Sequence, residues 1–233
     1  MKNYNSSKEI IIFIPSIESG GVEKNLFIIL SYLSKFYSKI NLVTSSKIKL
    51  SKQIRKVKII KPKSTFWINK NRLIKSIICL FLLIKFFPKK NFLLFSFQSS
   101  FFSIIASKLM DWPIILRLNT SPEKYVNNFL KIILFRTLYK LSDEIIVNSK
   151  EFKKNIKRIL GLNSNVIYNP VYNKKIRKKK INDLKNYKGL KILNIGRLTD
   201  QKDHLTLLKS IKFISDKKKL ILNYSLLGEV KIF

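Results

Sequence analysis

The residues with the clearest chemical potential lie in ILNIGRLTDQKDHLTLLKSI, positions 192 to 211. An apolar run ends at Ile195, then come Gly196 and Arg197, a short polar loop with Lys202, and a helical pattern that starts after Asp203. A strand of an open α/β sheet delivers such a loop to the carboxyl edge of the sheet, where ligands of these folds bind. Asp203 suits a helix cap, which sets Lys202 beside backbone N–H groups that favour anions. A guanidinium grips phosphate oxygens with a two-pronged fork and an ammonium adds a point charge, so Arg197 and Lys202 together suit a diphosphate. The alternative is an ordinary exposed basic loop, common in so charged a chain.

Two more stretches have useful chemistry. In ESGGVEK, positions 18 to 24, Gly20 and Gly21 permit a tight turn and close backbone approach at the head of a helix, a place that also favours anions. Glu23 falls in the first turn, where the helix dipole favours a carboxylate, and this capping role accounts for it. In RLNTSPEKY, positions 117 to 125, the side chains of Asn119, Thr120 and Ser121 either touch hydroxyls of a bound molecule or shape the turn before Pro122. His204 has no identifiable partner for proton transfer, and no catalytic side chain is assigned. With one cysteine, Cys79, and one histidine, there is no Cys/His cluster for a structural zinc and no internal disulfide.

The elements that must position these residues follow from an alternation of short apolar runs and helical patterns. Strands are expected at 9 to 15, 40 to 45, 57 to 62, 91 to 97, 113 to 119, 144 to 149 and 165 to 171. Helices are expected at 20 to 36, 71 to 87, 99 to 109, 123 to 141 and 150 to 160. Continuous apolar strands of about six residues separated by helices imply a parallel sheet covered on both faces, a doubly wound α/β domain over residues 1 to 170. Positions 172 to 189 have eight basic residues and one acidic, no apolar periodicity and a terminal Gly189, as in a solvated linker, so the linker is set at 171 to 189. The rhythm then restarts over 190 to 233 with strand, helix and strand. Two strands and one helix bury too little to stand alone, so this second α/β domain is expected to be incomplete.

Of 233 residues, 46% are apolar, enough for a substantial core. The formal charge is +34, and between Glu23 and Asp111 there are eighteen basic residues and no acidic one. Such a field attracts polyanions, or it reflects a Lys- and Ile-rich coding bias on an ordinary fold. Zinc-finger spacing, a basic-leucine heptad run and a single-strand-binding signature are all missing, so an anionic membrane surface is favoured over nucleic acid. The apolar run Ile77 to Ile84 is far short of the ~20 residues of a spanning helix. The helix around it either lies in a lipid interface or packs on the sheet. The apolar start ends at Pro15 with no cleavage site, so it reads as a strand, and a cytoplasmic protein is expected.

Taken in order, IPSIESGGVEKNLFIILSYLSK, RLNTSPEKY, SDEIIVNSKEFKKNI, NVIYNPV and ILNIGRLTDQKDHLTLLKSI resemble the retaining glycosyltransferases of family 4, or group 1, from residue 10 to about 215. The resemblance implies the GT-B fold of two facing Rossmann-like domains. It implies a nucleotide-sugar donor held mainly by the second domain and a glycan or lipid-linked acceptor held mainly by the first, in cell-surface polysaccharide synthesis. On this resemblance Arg197, Lys202, Gly20 and Gly21 attend the donor diphosphate, and Asn119, Thr120 and Ser121 face the acceptor. There is no D-x-D pair, and neither metal nor cofactor is expected. The family's paired-glutamate motif, E-x7-E, is missing, and after Gly228 and Glu229 its pattern is lost. A C-terminally truncated member with a half-built donor site is therefore expected, located in the cytoplasm or peripherally on the inner face of the membrane. The alternatives are an inactive remnant that binds an acceptor or a membrane, and a basic nucleic-acid-binding α/β protein.

Overall fold

A computed structural model describes residues 9–17, 21–48, 56–87, 92–170, 190–196, 198, 200–218 and 222–227. The chain divides into two compact units, Met1–Tyr172 and Asn173–Phe233.

In the first unit, strands β1 (Glu9–Phe13), β2 (Lys39–Val43), β3 (Val57–Ile60), β4 (Leu93–Ser96), β5 (Ile114–Arg117), β6 (Glu144–Val147) and β7 (Asn165–Val166) form one sheet in the order β3-β2-β1-β4-β5-β6-β7. Every neighbouring pair is parallel; Ile12 stands opposite Leu42 on one side and Phe95 on the other. The helices are α1 (Gly21–Leu33), α2 (Arg72–Phe86), α3 (Ser100–Met110), α4 (Phe129–Lys140) and α5 (Lys150–Asn155), the last extended by a π-helical turn over Ile156–Leu160. The chain steps one way from β1 to β2 and the other way from β4 through β7. Right-handed crossovers therefore put α1 on one face of the sheet and α2 to α5 on the opposite face.

The alternation of side chains along each strand feeds two cores. Ile10, Ile12 and Ile14 pack with Leu26 and Leu30 of α1. Ile11 and Phe13 pack with Cys79 and Leu83 of α2, Ile104 of α3 and Tyr139 of α4. Strands buried on both sides need apolar residues at every position, and EIIIF, IILR and EIIV supply them almost without interruption. The expected doubly wound parallel sheet is the observed one. Helix 71 to 87 packs on it through Ser76, Cys79 and Leu83, the i, i+3, i+7 stripe.

Helix starts are fixed by side-chain caps. Asn71 Oδ1 accepts from the Ile74 N–H at 2.9 Å, Asn128 Oδ1 from Lys131 N–H at 2.9 Å, and Ser149 Oγ from Phe152 N–H at 3.1 Å. The Asn128 cap accounts for a difference from the sequence expectation. The segment 123 to 141 is not one helix: Pro122–Lys124 forms a 3-10 turn, and α4 begins only at Phe129. A 3-10 turn over Thr65–Asn69, not foreseen, precedes α2. The expected strand 165 to 171 pairs only over Asn165–Val166, at the sheet edge. The expected linker 171 to 189 lies outside the described residues.

Among the described residues, the second unit forms a β-α-β element. Strand β8 (Leu190–Ile195) runs through a 3-10 turn at Asp200–Lys202 into α6 (His204–Lys218), and β9 (Leu222–Leu227) returns parallel to β8 with Leu190 opposite Leu222 and Ile195 opposite Leu227.

Candidate functional site

In the first sheet the connection after β1 leads to α1 on one face and the connection after β4 leads to α3 on the other. β1 and β4 are adjacent, so the sheet has its topological switch point there, and a crevice opens outside their carboxyl ends. The loops around it are tied down. Ile17 N–H donates to Ser46 Oγ at 2.9 Å, and Ser45 N–H to the Pro15 carbonyl at 3.0 Å, which pins the loops after β1 and β2 together. Gly21 opens α1, and a Cβ added there would meet nothing within 4 Å. Gly20, its expected companion, lies outside the described residues.

The loop after β4 is shaped by serines. Ser103 Oγ donates to Ser96 Oγ at 2.8 Å, and Ser96 Oγ donates to the Gln98 carbonyl at 3.1 Å. Ser99 adopts a left-handed backbone with φ 55°, and its hydroxyl lies 2.6 Å from Ser76 Oγ. Gln98, in the loop after β4, has its side-chain Oε1 buried and, among the described residues, without a hydrogen-bond partner. A buried acceptor left open carries a cost that a hydroxyl or amide donor on a ligand removes. Sequence reading had no signal for Gln98, because only the strand order brings it to this place.

The three residues after β5 divide. The Asn119 amide donates to the Phe97 carbonyl at 2.7 Å, joining the loops after β5 and β4. Ser121 Oγ accepts from Asn155 Nδ2 at 3.3 Å, and the same Asn155 amide reaches Glu123 Oε2 at 2.9 Å, while Glu123 also pairs with Arg158. The hydroxyl-bearing Thr120 is exposed. Asn119 and Ser121 thus shape the edge, and Thr120 stands out from it. Arg117 at the end of β5 was not singled out by sequence. It is buried, donates to Asn169 Oδ1 at 2.8 Å and lies 5.8 Å from the Phe97 ring centroid. Burial pushes its guanidinium below the ordinary value, and among the described residues no carboxylate pairs with it. It sets a positive charge at the carboxyl end of β5.

In the second unit, Asp203 Oδ1 accepts from Thr206 N–H at 3.3 Å and so caps α6, with Asp203 itself left-handed at φ 45°. A Cβ added at Gly196 would lie 3.4 Å from His204 Cε1 and 3.6 Å from Lys202 Cγ. The imidazole and the lysine stem therefore pack beside Gly196, at distances that would leave a Cβ in ordinary van der Waals contact. His204 Nδ1 is 3.0 Å from Asn194 Nδ2, a positioning bond to the strand. Lys202 is exposed at the carboxyl end of β8, beside the head of α6. Arg197 lies outside the described residues. Among the described residues, no cluster of three or more His, Cys, Asp or Glu side chains is arranged to hold a metal ion.

This architecture is found in solved structures. HepE of Anabaena, in complex with UDP and glucose, superposes with a TM-score of 0.59 at 13% identity over 95% of this chain and 70% of that one. The lipopolysaccharide outer core galactosyltransferase WaaB gives 0.56 at 12% identity over 95% of this chain and 68% of that one. UGT71G1 of Medicago truncatula, complexed with UDP-glucose, gives 0.50 at 12% identity over 98% of this chain and 68% of that one. No protein-family model matches the chain, and no curated protein matches it in sequence. The fold is that of the GT-B glycosyltransferases.

Proposed function

We propose that this protein is a glycosyltransferase that moves a sugar from a nucleotide-sugar donor, with retention of configuration, to a glycan or lipid-linked acceptor. We place it in cell-surface polysaccharide synthesis, in the cytoplasm or on the inner face of the membrane. The observation that carries the reading is the topological switch point between β1 and β4, whose carboxyl ends lead to Gly21 at the start of α1 on one side and to the Gln98 loop on the other. The backbone N–H groups at a helix start favour phosphate, and polar side chains at the carboxyl edge of a sheet suit a sugar or acceptor hydroxyl. In the second unit Lys202, with Arg197 five positions earlier, supplies the positive charge that a departing nucleoside diphosphate needs. The reading gives this charge to side chains and backbone N–H groups, with no metal. That HepE is crystallised with UDP and with UDP-glucose supports UDP as the first nucleotide to try.

The test is release of UDP from UDP-glucose and UDP-galactose, measured with and without a bacterial membrane-lipid extract and in the presence of EDTA. The expected outcome is release that requires the extract and survives EDTA. No release from any nucleotide sugar, together with no binding of UDP, would reject the reading.

A further inference from the structure

Three successive helices on one face of the first sheet have apolar residues on both sides. The inner side of α4 carries Ile132, Phe135 and Tyr139, packed on the core. Its outer side carries Leu130 at 76% exposure with Ile133 and Leu134 beside it, spaced i, i+3, i+4, and Phe129 at the helix start is 72% exposed. α2 repeats the arrangement: Ser76, Cys79 and Leu83 face inward, while Leu73, Phe81 and Ile84 are exposed, Phe81 at 66%. α3 lies between them, packed against both, and exposes Phe101 and Leu109. Helices that fold against a sheet normally turn polar residues outward, and scattered single exceptions mean little. Here the exceptions recur on three adjacent helices of one layer, which makes a surface.

The charge on the layer identifies what covers it. α2, α3 and α4 hold Arg72, Lys75, Lys85, Lys108, Lys131, Arg136 and Lys140 and not one acidic residue. Two copies meeting through this layer would bring like charges together, and nucleic acid would leave the aromatic and aliphatic side chains without a partner. Apolar side chains ringed by lysines match the interface of an anionic bilayer, with the rings and aliphatic groups at the acyl boundary and the ammonium groups among the headgroups. Among the described residues, no helix is long and apolar enough to cross a membrane, so contact of this kind is peripheral.

We propose that the outer surface of the α2, α3 and α4 layer docks on an anionic lipid bilayer. This inference does not depend on the glycosyl-transfer reading, since it rests on a different face of the sheet layer and involves no nucleotide. It also revises the expected membrane-facing stretch. α1, although inside the acid-free and basic region of sequence from Lys24 on, lies on the opposite face of the sheet, and α4, beyond that region, joins the docking layer.

The experiment uses the full chain with vesicles of phosphatidylcholine alone or mixed with phosphatidylglycerol, in the absence of nucleotide. Sedimentation with the anionic vesicles is expected, with release at high salt. Replacing three exposed lysines together, Lys85→Gln, Lys131→Gln and Lys140→Gln, should lower partitioning roughly a hundredfold, since each basic residue near such a surface contributes about a fivefold factor. Leu130→Glu should also weaken binding, with melting temperature unchanged because the site is exposed. An Ile133→Trp variant should shift its added emission to the blue on anionic vesicles. As a control, Tyr32→Ser on α1 with Phe36→Ser in the turn after it should bind like wild type. No sedimentation with anionic vesicles would overturn the proposal. So would equal loss in the α1 control, or binding unaffected by the lysine replacements. A dimer that disperses with Leu130→Glu, in place of vesicle binding, would identify a second copy as the occupant and also overturn it.

Discussion

The two units are built from the same β-α-β repeat but are held together to different degrees. In the first, seven parallel strands have both faces covered, and residues such as Ile12, Phe13 and Leu94 are fully buried. Among the described residues of the second, one helix lies beside two strands, and α6 leaves Leu205, Leu208, Phe213 and Ile214 exposed. A sheet that is covered twice gains cooperativity from every strand added, while a single β-α-β element has one interior surface and little to close it. The candidate chemistry has the reverse distribution. The first unit offers the helix start at Gly21 and a buried guanidinium at Arg117, and Lys202, the exposed cation proposed for phosphate, is on the less buried unit. Stability and the proposed anion binding are therefore separable by mutation.

The largest expected effect tests that difference directly. Phe13→Ala, at a fully buried position in the first unit, should cost about 3 to 5 kcal/mol, as a large aromatic removed from a packed core does. Leu208→Ala in α6, partly exposed, should stay within about 1 kcal/mol. Urea titrations of the two variants measure both, and equal costs would contradict the contrast.

A second effect is confined to the first unit and depends on pH. Burial pushes the Cys79 thiol from its ordinary value near 9 up to about 12, and burial also raises the Tyr125 and Tyr139 phenols, whose hydroxyls lie 3.2 Å apart. These groups hold their protons more firmly folded than unfolded. Their stabilising contribution is complete below pH 9 and is lost as pH rises through the folded values. Between pH 9 and 12, Cys79 alone should remove on the order of 1.4 kcal/mol per pH unit. Alkaline melts of wild type and Cys79→Ala check this: the variant should lose less stability over that interval, and parallel curves would contradict it.

A smaller effect isolates the cap that starts α4. Asn128→Ala should destabilise by roughly 1 kcal/mol, because the Lys131 N–H loses its acceptor. Thermal melts measure it, and Asn128→Ser should recover most of the loss.

Most of the fold was legible because its signal is local. Apolar runs such as EIIIF and IILR, separated by amphipathic stretches, specify a parallel sheet whatever their order in space. Asn128 was harder to read: a helical pattern continues upstream of it, and Pro122 opens a separate turn that only the backbone geometry distinguishes from the helix. Local geometry was legible where a loop announces itself, as with Gly21, which opens α1, and with Asp203, which proved to be the cap of α6. It was not legible where position comes from strand order. Gln98 and Arg117 are unremarkable in sequence, and they matter because β4 and β5 bring them to the carboxyl edge. The outer apolar stripes of α2 and α4 were hidden for another reason. A helix that is apolar almost all round looks buried, and only its packed neighbours reveal which side is free.

The central claim is that this fold binds a nucleoside diphosphate through the basic loop after β8. Calorimetric titration of UDP into the full chain tests it most directly, repeated with Lys202→Ala and Arg197→Ala and accompanied by thermal melts of the same proteins. The account predicts binding by wild type that weakens roughly tenfold to a hundredfold in each variant, as loss of a charged hydrogen bond does. The melts should agree within about 0.5 kcal/mol of stability for the exposed Lys202. Binding of UDP with unchanged affinity in both variants, or no binding of UDP by the wild-type chain, would contradict it.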